Sequence, residues 1–310
     1  MKAVVLKAFG EQPVLADVEV PVPGPGEVRV RVKAASVNGF DVAVANGYLR
    51  GVMEHRFPVV LGKDFAGDVE ALGEGVTEFA VGDKVFGVVN KPDLGDGSFG
   101  EYVTVPVAVG VARIPDGVTY EEAAALGLAG TAAVDAFDAS GSGEGHTVLV
   151  AGATGGVGQQ AVQLAAGAGA KVIATAGSDE GRAKVSALGA ASTIDYAGDI
   201  VEQVRAAHPD GVDAVLHFAG DPVELGAVLK PGGVLVSTLV MDPSQLQLDD
   251  VQIVPIFAQS TGATLERIAR NHVDGVTGVT VQRVYSLEEA PLALTDFTRG
   301  TLGKLVVAVS

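Results

Sequence analysis

A chain of 310 residues with 48% hydrophobic and 19% charged side chains is long enough to bury two cores and too apolar to stay disordered. Its formal charge of −17 argues against nucleic acid or an anionic membrane as partner, because both select basic faces. The absence of cysteine removes disulfides, thiolate nucleophiles, iron–sulfur clusters and thiolate zinc sites together.

The five histidines (His55, His146, His208, His217 and His272) have no spacing that pairs them on a metal. No apolar stretch follows Lys2 and Lys7 as a signal peptide would require. The longest apolar tract, 123–133, is too short to span a bilayer and is flanked by Glu121, Glu122 and Asp135. The expectation is a soluble, cytoplasmic protein.

Residues 1–113 read as short strands. Segments 3–6 and 15–20 are apolar or alternating, and 27–33 alternates valine with charge as a half-buried strand does. Frequent turns at 21–26, 73–75, 82–83 and 95–97 point to a small barrel or sandwich. From about residue 119 the pattern changes. An alanine-rich helix over 120–137, broken near Gly127 or Gly130, precedes strands at 147–151, 171–175, 192–195, 212–218 and 233–237. Helices fall between them, at 157–165, 179–188, 199–207 and 222–229. Such alternation builds a parallel sheet covered on both faces. A helix over 264–272, a strand over 281–285, a helix over 287–297 and a strand over 305–309 complete the chain.

The stretch Thr147 to Ala165 carries the most chemistry. A β-branched strand runs into Gly152-Ala153-Thr154-Gly155-Gly156-Val157-Gly158 and then into a helix. Glycines let the backbone approach a pyrophosphate, and the free N–H groups of the helix start face its charge. Ala153 stands where the first glycine of G-x-G-x-x-G belongs, so the strand before the turn and the helix after it carry the assignment.

With these residues in place, the chain resembles the zinc-independent, zeta-crystallin-like quinone oxidoreductase branch of the medium-chain dehydrogenase/reductase superfamily. The resemblance rests on Ala35 to Asp41, Pro58 to Gly67, Gly82 to Gly87, the glycine turn and Gly303 to Val306. It implies an α/β protein: a GroES-like β-barrel domain from residues 1–115 and 260–310, and a doubly wound Rossmann domain from 116–259. The nicotinamide is then expected in the cleft between them. The zinc alcohol dehydrogenases of the superfamily carry a ligand cysteine where this chain has Asn38, and Gly-His-Glu where it has Gly62-Lys63-Asp64. Their four-cysteine lobe is missing near 90–97. The expectation is no metal.

An acidic residue usually ends the second strand of an NAD-selective unit, but here that position is Ala176, followed by Gly177 and Ser178. Ser178 and Arg182 are placed to take a 2′-phosphate, so the expected cofactor is NADPH. Ser178 also reads as a plain N-cap, and Asp179 and Glu180 belong to the first helical turn. The resemblance puts Tyr196 and Lys304 toward the cofactor phosphates and Thr131 toward the nicotinamide, with Phe218 and Ala219 in the same set. A strand-edge cap and a solvated charge are the plainer roles for Tyr196 and Lys304.

Without a metal, the natural hydride acceptors are already activated: quinones and α,β-unsaturated carbonyls. Tyr48 is a candidate donor to the oxyanion, Asn38 a cleft-lining amide, and Asp41, Lys63 and Asp64 fill the former zinc pocket. Lys63 reads best as paired with Asp64 or Asp41. Phe40, Tyr48, Phe65 and Phe257 are expected near the substrate, with core packing the plainer role of Phe65 and Phe257. An enoyl-thioester reductase and a non-catalytic NADPH-binding protein are the alternatives. The apolar stretch 251–257 reads as a sheet edge, and the resemblance implies a homodimer there.

Overall fold

The computed structural model describes all residues 1–310. The chain divides into two compact units, one of Met1–Leu128, Ser260–Val273 and Val279–Ser310, the other of Ala129–Gln259 and Asp274–Gly278.

The first unit opens with β1 (Lys2–Leu6), β2 (Val14–Asp17), β3 (Glu27–Ser36), α1 (Gly39–Ala45), β4 (Glu54–His55), β5 (Val59–Val60) and β6 (Asp64–Leu72). It continues with β7 (Lys84–Val88), β8 (Asp93–Leu94), β9 (Tyr102–Pro106), β10 (Val111–Arg113) and α2 (Tyr120–Ser140). In β3, Val28, Val30 and Val32 are buried and Arg31 points to solvent, which is the alternation visible in the sequence. Strand β3 pairs with β6 along its length and sets Ser36 opposite Asp64. Helix α1 is an element that the all-strand expectation missed. Three β-branched or aromatic positions in seven (Phe40, Val42 and Val44) hide it, and Asp41 at its third residue starts it by accepting the Asn38 backbone N–H at 2.8 Å.

Helix α2 is unbroken from Tyr120 to Ser140, against the expected break at Gly127 or Gly130. The glycine is there for space. A Cβ on Gly127 would stand 2.6 Å from the Asp64 carboxylate. The boundary expected at 115/116 lies ahead of α2, whereas the compact units divide inside it, after Leu128.

The second unit holds β11 (Thr147–Ala151), α3 (Gly156–Gly167), β12 (Lys171–Thr175), α4 (Asp179–Ala187), β13 (Ser192–Ile194) and α5 (Ile200–Ala207). It continues with β14 (Val212–His217), α6 (Pro222–Gly226), β15 (Leu229–Ser237) and β16 (Gln252–Pro255). All five pairings of its sheet are parallel, in the order β13-β12-β11-β14-β15-β16. That is the 3-2-1-4-5-6 order of a dinucleotide-binding sheet, with its switch point between β11 and β14. Central β11 is apolar and buried nearly throughout, as a strand covered on both faces must be.

The chain then returns to the first unit with α7 (Gly262–Val273), β17 (Val281–Ser286), α8 (Ala290–Phe297) and β18 (Lys304–Ala308). Strand β18 pairs antiparallel with β3, so both ends of the chain build one sheet. No helix is long and apolar enough to cross a membrane.

Candidate active site

In the first unit the ends of β3, β6 and β18 bring together a buried polar centre. Asp64 is fully buried and accepts three hydrogen bonds, from Ser36 Oγ at 2.6 Å, Asn38 Nδ2 at 2.8 Å and the Leu128 N–H at 2.7 Å. The Lys304 ammonium lies 3.5 Å from the same carboxylate and donates to Asn38 Oδ1 at 2.6 Å and Val37 O at 2.9 Å. Both ends of the Asn38 amide, expected to line the cleft, are therefore engaged inside the protein. Lys304 is 3% exposed, so the solvated-charge reading of it is also corrected. Ser36 is the member of this centre that sequence reasoning missed. Its only signal is its register opposite Asp64, and no local motif marks that.

Asp41 is buried, and that burial, with the Asp64 carboxylate near it, pushes its carboxyl up to about 7. Lys63 is not ion-paired, contrary to the expected pairing with Asp64 or Asp41: no carboxylate comes within 4.0 Å of its ammonium. Its Nζ stands 4.2 Å from the centre of the Phe40 ring, and burial pulls its pKa below the ordinary lysine range. Phe40, Asp41, Lys63, Val89 and Leu94 line one concavity. Tyr48 lies outside this centre, 74% exposed on the turn after α1. Phe65 is wholly core, which corrects its expected place near substrate, and Phe257 is half exposed rather than core.

In the second unit the glycine turn joins β11 to α3. Gly152 has φ +81°, a conformation that strains any side-chain-bearing residue, and donates its N–H to Thr175 Oγ1 at 2.9 Å. Ala153 is buried, and Thr154 accepts the Gln159 amide at 2.8 Å through its carbonyl. Gly155 is the N-cap of α3 and carries no capping side chain, so the first N–H groups of Gly156, Val157 and Gly158 are left for an anion. A Cβ on Gly158 would run into the Gly152 and Ala153 backbone.

Beyond β12, Ala176 is fully buried where an acidic residue would select NAD. Ser178 caps α4 by accepting the Gly181 N–H at 3.1 Å, and its hydroxyl hydrogen remains to be donated. Arg182 holds the Ala176 carbonyl at 3.2 Å and Asp179 at 3.0 Å. The Tyr196 ring covers Gly177. Phe218 and Ala219 follow β14, and Ala219 abuts Gly152. Thr131 is fully buried in α2.

Two family profiles match this chain: the alcohol dehydrogenase GroES-like domain over residues 24–116, and the zinc-binding dehydrogenase over 156–259. The first fold is thus GroES-like and the second Rossmann. A chloroplast envelope quinone oxidoreductase homolog of Arabidopsis thaliana is 32% identical over 308 residues, 94% of this chain and 92% of that protein. The solved quinone oxidoreductase of Coxiella burnetii superposes with a TM-score of 0.91 at 28% identity, covering 100% of this chain and 99% of that one. A mycobacterial protein solved with NADPH gives 0.87 at 28% identity, with 99% of each chain covered. The chain belongs to the quinone oxidoreductase branch of the medium-chain dehydrogenase/reductase superfamily, and it is an oxidoreductase with an NAD(P)-binding fold.

The second profile is described by zinc, but the residues of this chain do not fit that ion. Cysteine is absent, no three His, Asp or Glu side chains gather, and an ammonium stands at Lys63.

Proposed function

We propose that this protein is an NADPH-dependent, zinc-independent reductase of quinones or α,β-unsaturated carbonyls. The observation that carries the reading is Lys63: a half-buried ammonium with no carboxylate at ion-pair distance, beside the Phe40 ring. When bound, NADPH supplies the hydride. The N–H groups of Gly156 to Gly158 hold the pyrophosphate. Ser178 donates to the 2′-phosphate, and Arg182 exchanges its Asp179 contact for that anion. The Lys63 ammonium stabilises the charge that develops on the substrate oxygen, and burial makes it a readier proton donor than an exposed lysine. Solvent restores its proton. Asp64, Asn38, Ser36 and Lys304 keep the floor of the site rigid, and Asp41, its carboxyl pushed up to about 7, keeps part of its protons beside it at neutral pH.

The test is oxidation of NADPH, followed by absorbance, against a simple quinone and a crotonyl thioester in parallel, with NADH as control. Turnover of the quinone with NADPH in preference to NADH is expected. Preference for the thioester would replace this reading with an enoyl-thioester reductase. Binding of NADPH with no turnover of any enone would make the protein a non-catalytic binder, and equal use of NADH would end the case for Ser178 and Arg182. Small-molecule turnover fits the acidic surface, which offers neither nucleic acid nor an anionic membrane a basic face. The protein is further read as a homodimer that pairs through β16.

A further inference from the structure

His217 ends β14 and is 1% exposed, and neither the hydride chemistry nor the phosphate contacts use it. Its surroundings determine where its proton sits. Ser237 Oγ, at the end of β15, accepts the backbone N–H groups of Leu239 at 3.0 Å and Val240 at 2.9 Å. Both lone pairs of that hydroxyl are then taken, so its hydrogen goes to His217 Nδ1, 2.8 Å away. Nδ1 accepts; the ring proton is therefore on Nε2, which donates to the Gly220 carbonyl at 3.1 Å. The relay runs Ser237 to His217 to Gly220 and ties together the loops that leave two neighbouring strands.

The first of those loops bears on the glycine turn. A Cβ on Gly152 would lie 3.1 Å from Ala219 Cβ and 3.2 Å from the Phe218 and Ala219 backbone. Phe218 also donates its N–H to Ala151 O at 3.0 Å. The turn is thus held from two sides, by Thr175 through the Gly152 N–H and by the 218–220 loop through contact. Both loops lie at the carboxyl ends of the strands beside the switch point, where open α/β sheets bind ligands.

We propose that His217, as the neutral Nε2–H tautomer, is the positioning residue that fixes the 218–220 loop against the glycine turn and so sets the affinity for the dinucleotide. The inference rests on the cofactor reading above and adds a residue that does not touch the cofactor's phosphates. Its bond to Gly220 is the functional half of the relay; the bond to Ser237 selects the tautomer.

The two bonds can be removed separately. His217→Gln places an amide near the Nε2 position and keeps a donor for Gly220. His217→Asn reaches only as far as Nδ1 and loses it. Dissociation constants for NADPH, steady-state kinetics and melting temperature are measured for both variants and for His217→Phe. The Asn and Phe variants should raise both Kd and KM for NADPH about tenfold, the worth of one hydrogen bond, with kcat at saturating NADPH changed less than about twofold. The Gln variant should stay within about threefold of the wild type by the same scale. Hydrogen exchange of peptides covering 218–221 should rise in the Asn variant and not in the Gln variant. Equal affinity in all variants, or equal loss in Asn and Gln at matched melting temperature, would overturn the proposal. If the Phe variant does not fold, the Asn and Gln pair decides alone. A wild type that binds neither NADPH nor NADH would overturn the cofactor reading itself, and is distinguishable because no variant is needed to see it.

Discussion

The Lys63 ammonium stands over an aromatic ring with two buried carboxyl groups near it, and neither closes to an ion pair. Lys63→Gln shortens the side chain by one atom, keeps a donor and removes the charge. It should lower kcat about 10²-fold, in the range of losing one oxyanion donor, and leave the Kd for NADPH unchanged. Stopped-flow reduction of a quinone beside a fluorescence titration of NADPH separates the two. Asp41 offers a test that needs no substrate. Its ordinary value is 3.8 and its folded value about 7. Between those values the folded protein holds a proton that the unfolded chain has lost. Stability from this group is therefore complete below about pH 4 and declines as pH rises to 7, by a few kcal/mol at about 1.4 kcal/mol per unit. Urea unfolding across that range should show the decline in the wild type and a flatter profile in Asp41→Asn. Identical profiles would mean that the Asp41 carboxyl titrates normally.

Helix α3 and its turn depend on contact between backbones. Gly158 sits where the first turn of the helix crosses Gly152 and Ala153, and a methyl group there meets main chain that has no rotamer to give. Gly158→Ala should cost about 1–3 kcal/mol of stability, the usual range for overpacking, and weaken NADPH binding at least tenfold. Thermal melts with and without NADPH would show both. Unchanged melting and binding would mean the turn has slack. Helix α2 shows the opposite use of a small residue. Gly127 lowers helix propensity, and a local reading takes it for a break, yet the helix continues because tertiary packing outweighs about 1 kcal/mol of propensity. The space so made holds the Asp64 carboxylate.

For the whole molecule, the feature that bears on assembly is a sheet edge. Strand β16 ends the parallel sheet with one edge unpaired, and Ile253 and Val254 on it are only half-buried. Leu239, Met241 and Phe257 nearby in sequence are more than half exposed. Exposed apolar edges invite pairing, although Pro255 has no N–H to offer the ladder. Sedimentation equilibrium should give the mass of two copies, and Ile253→Lys should shift it toward one. A wild type that stays at the mass of one copy would remove the dimer.

The dinucleotide turn could be read from sequence because it is local: strand, glycines and helix lie within about twenty residues, and each speaks through propensity or backbone freedom. The branch of the superfamily was legible in the same way, through motifs that each occupy a few consecutive positions. Ala176 in place of an acid was legible too. What only the tertiary structure decided is the partnership of groups far apart in the chain. Lys304 reaches Asn38 across 266 residues, Ser36 meets Asp64 through strand register, and His217 finds Ser237 through the pairing of β14 with β15. The sequence names these groups without saying which face each other. A buried polar group must find a partner, and burial and partner are both set by which strands lie side by side.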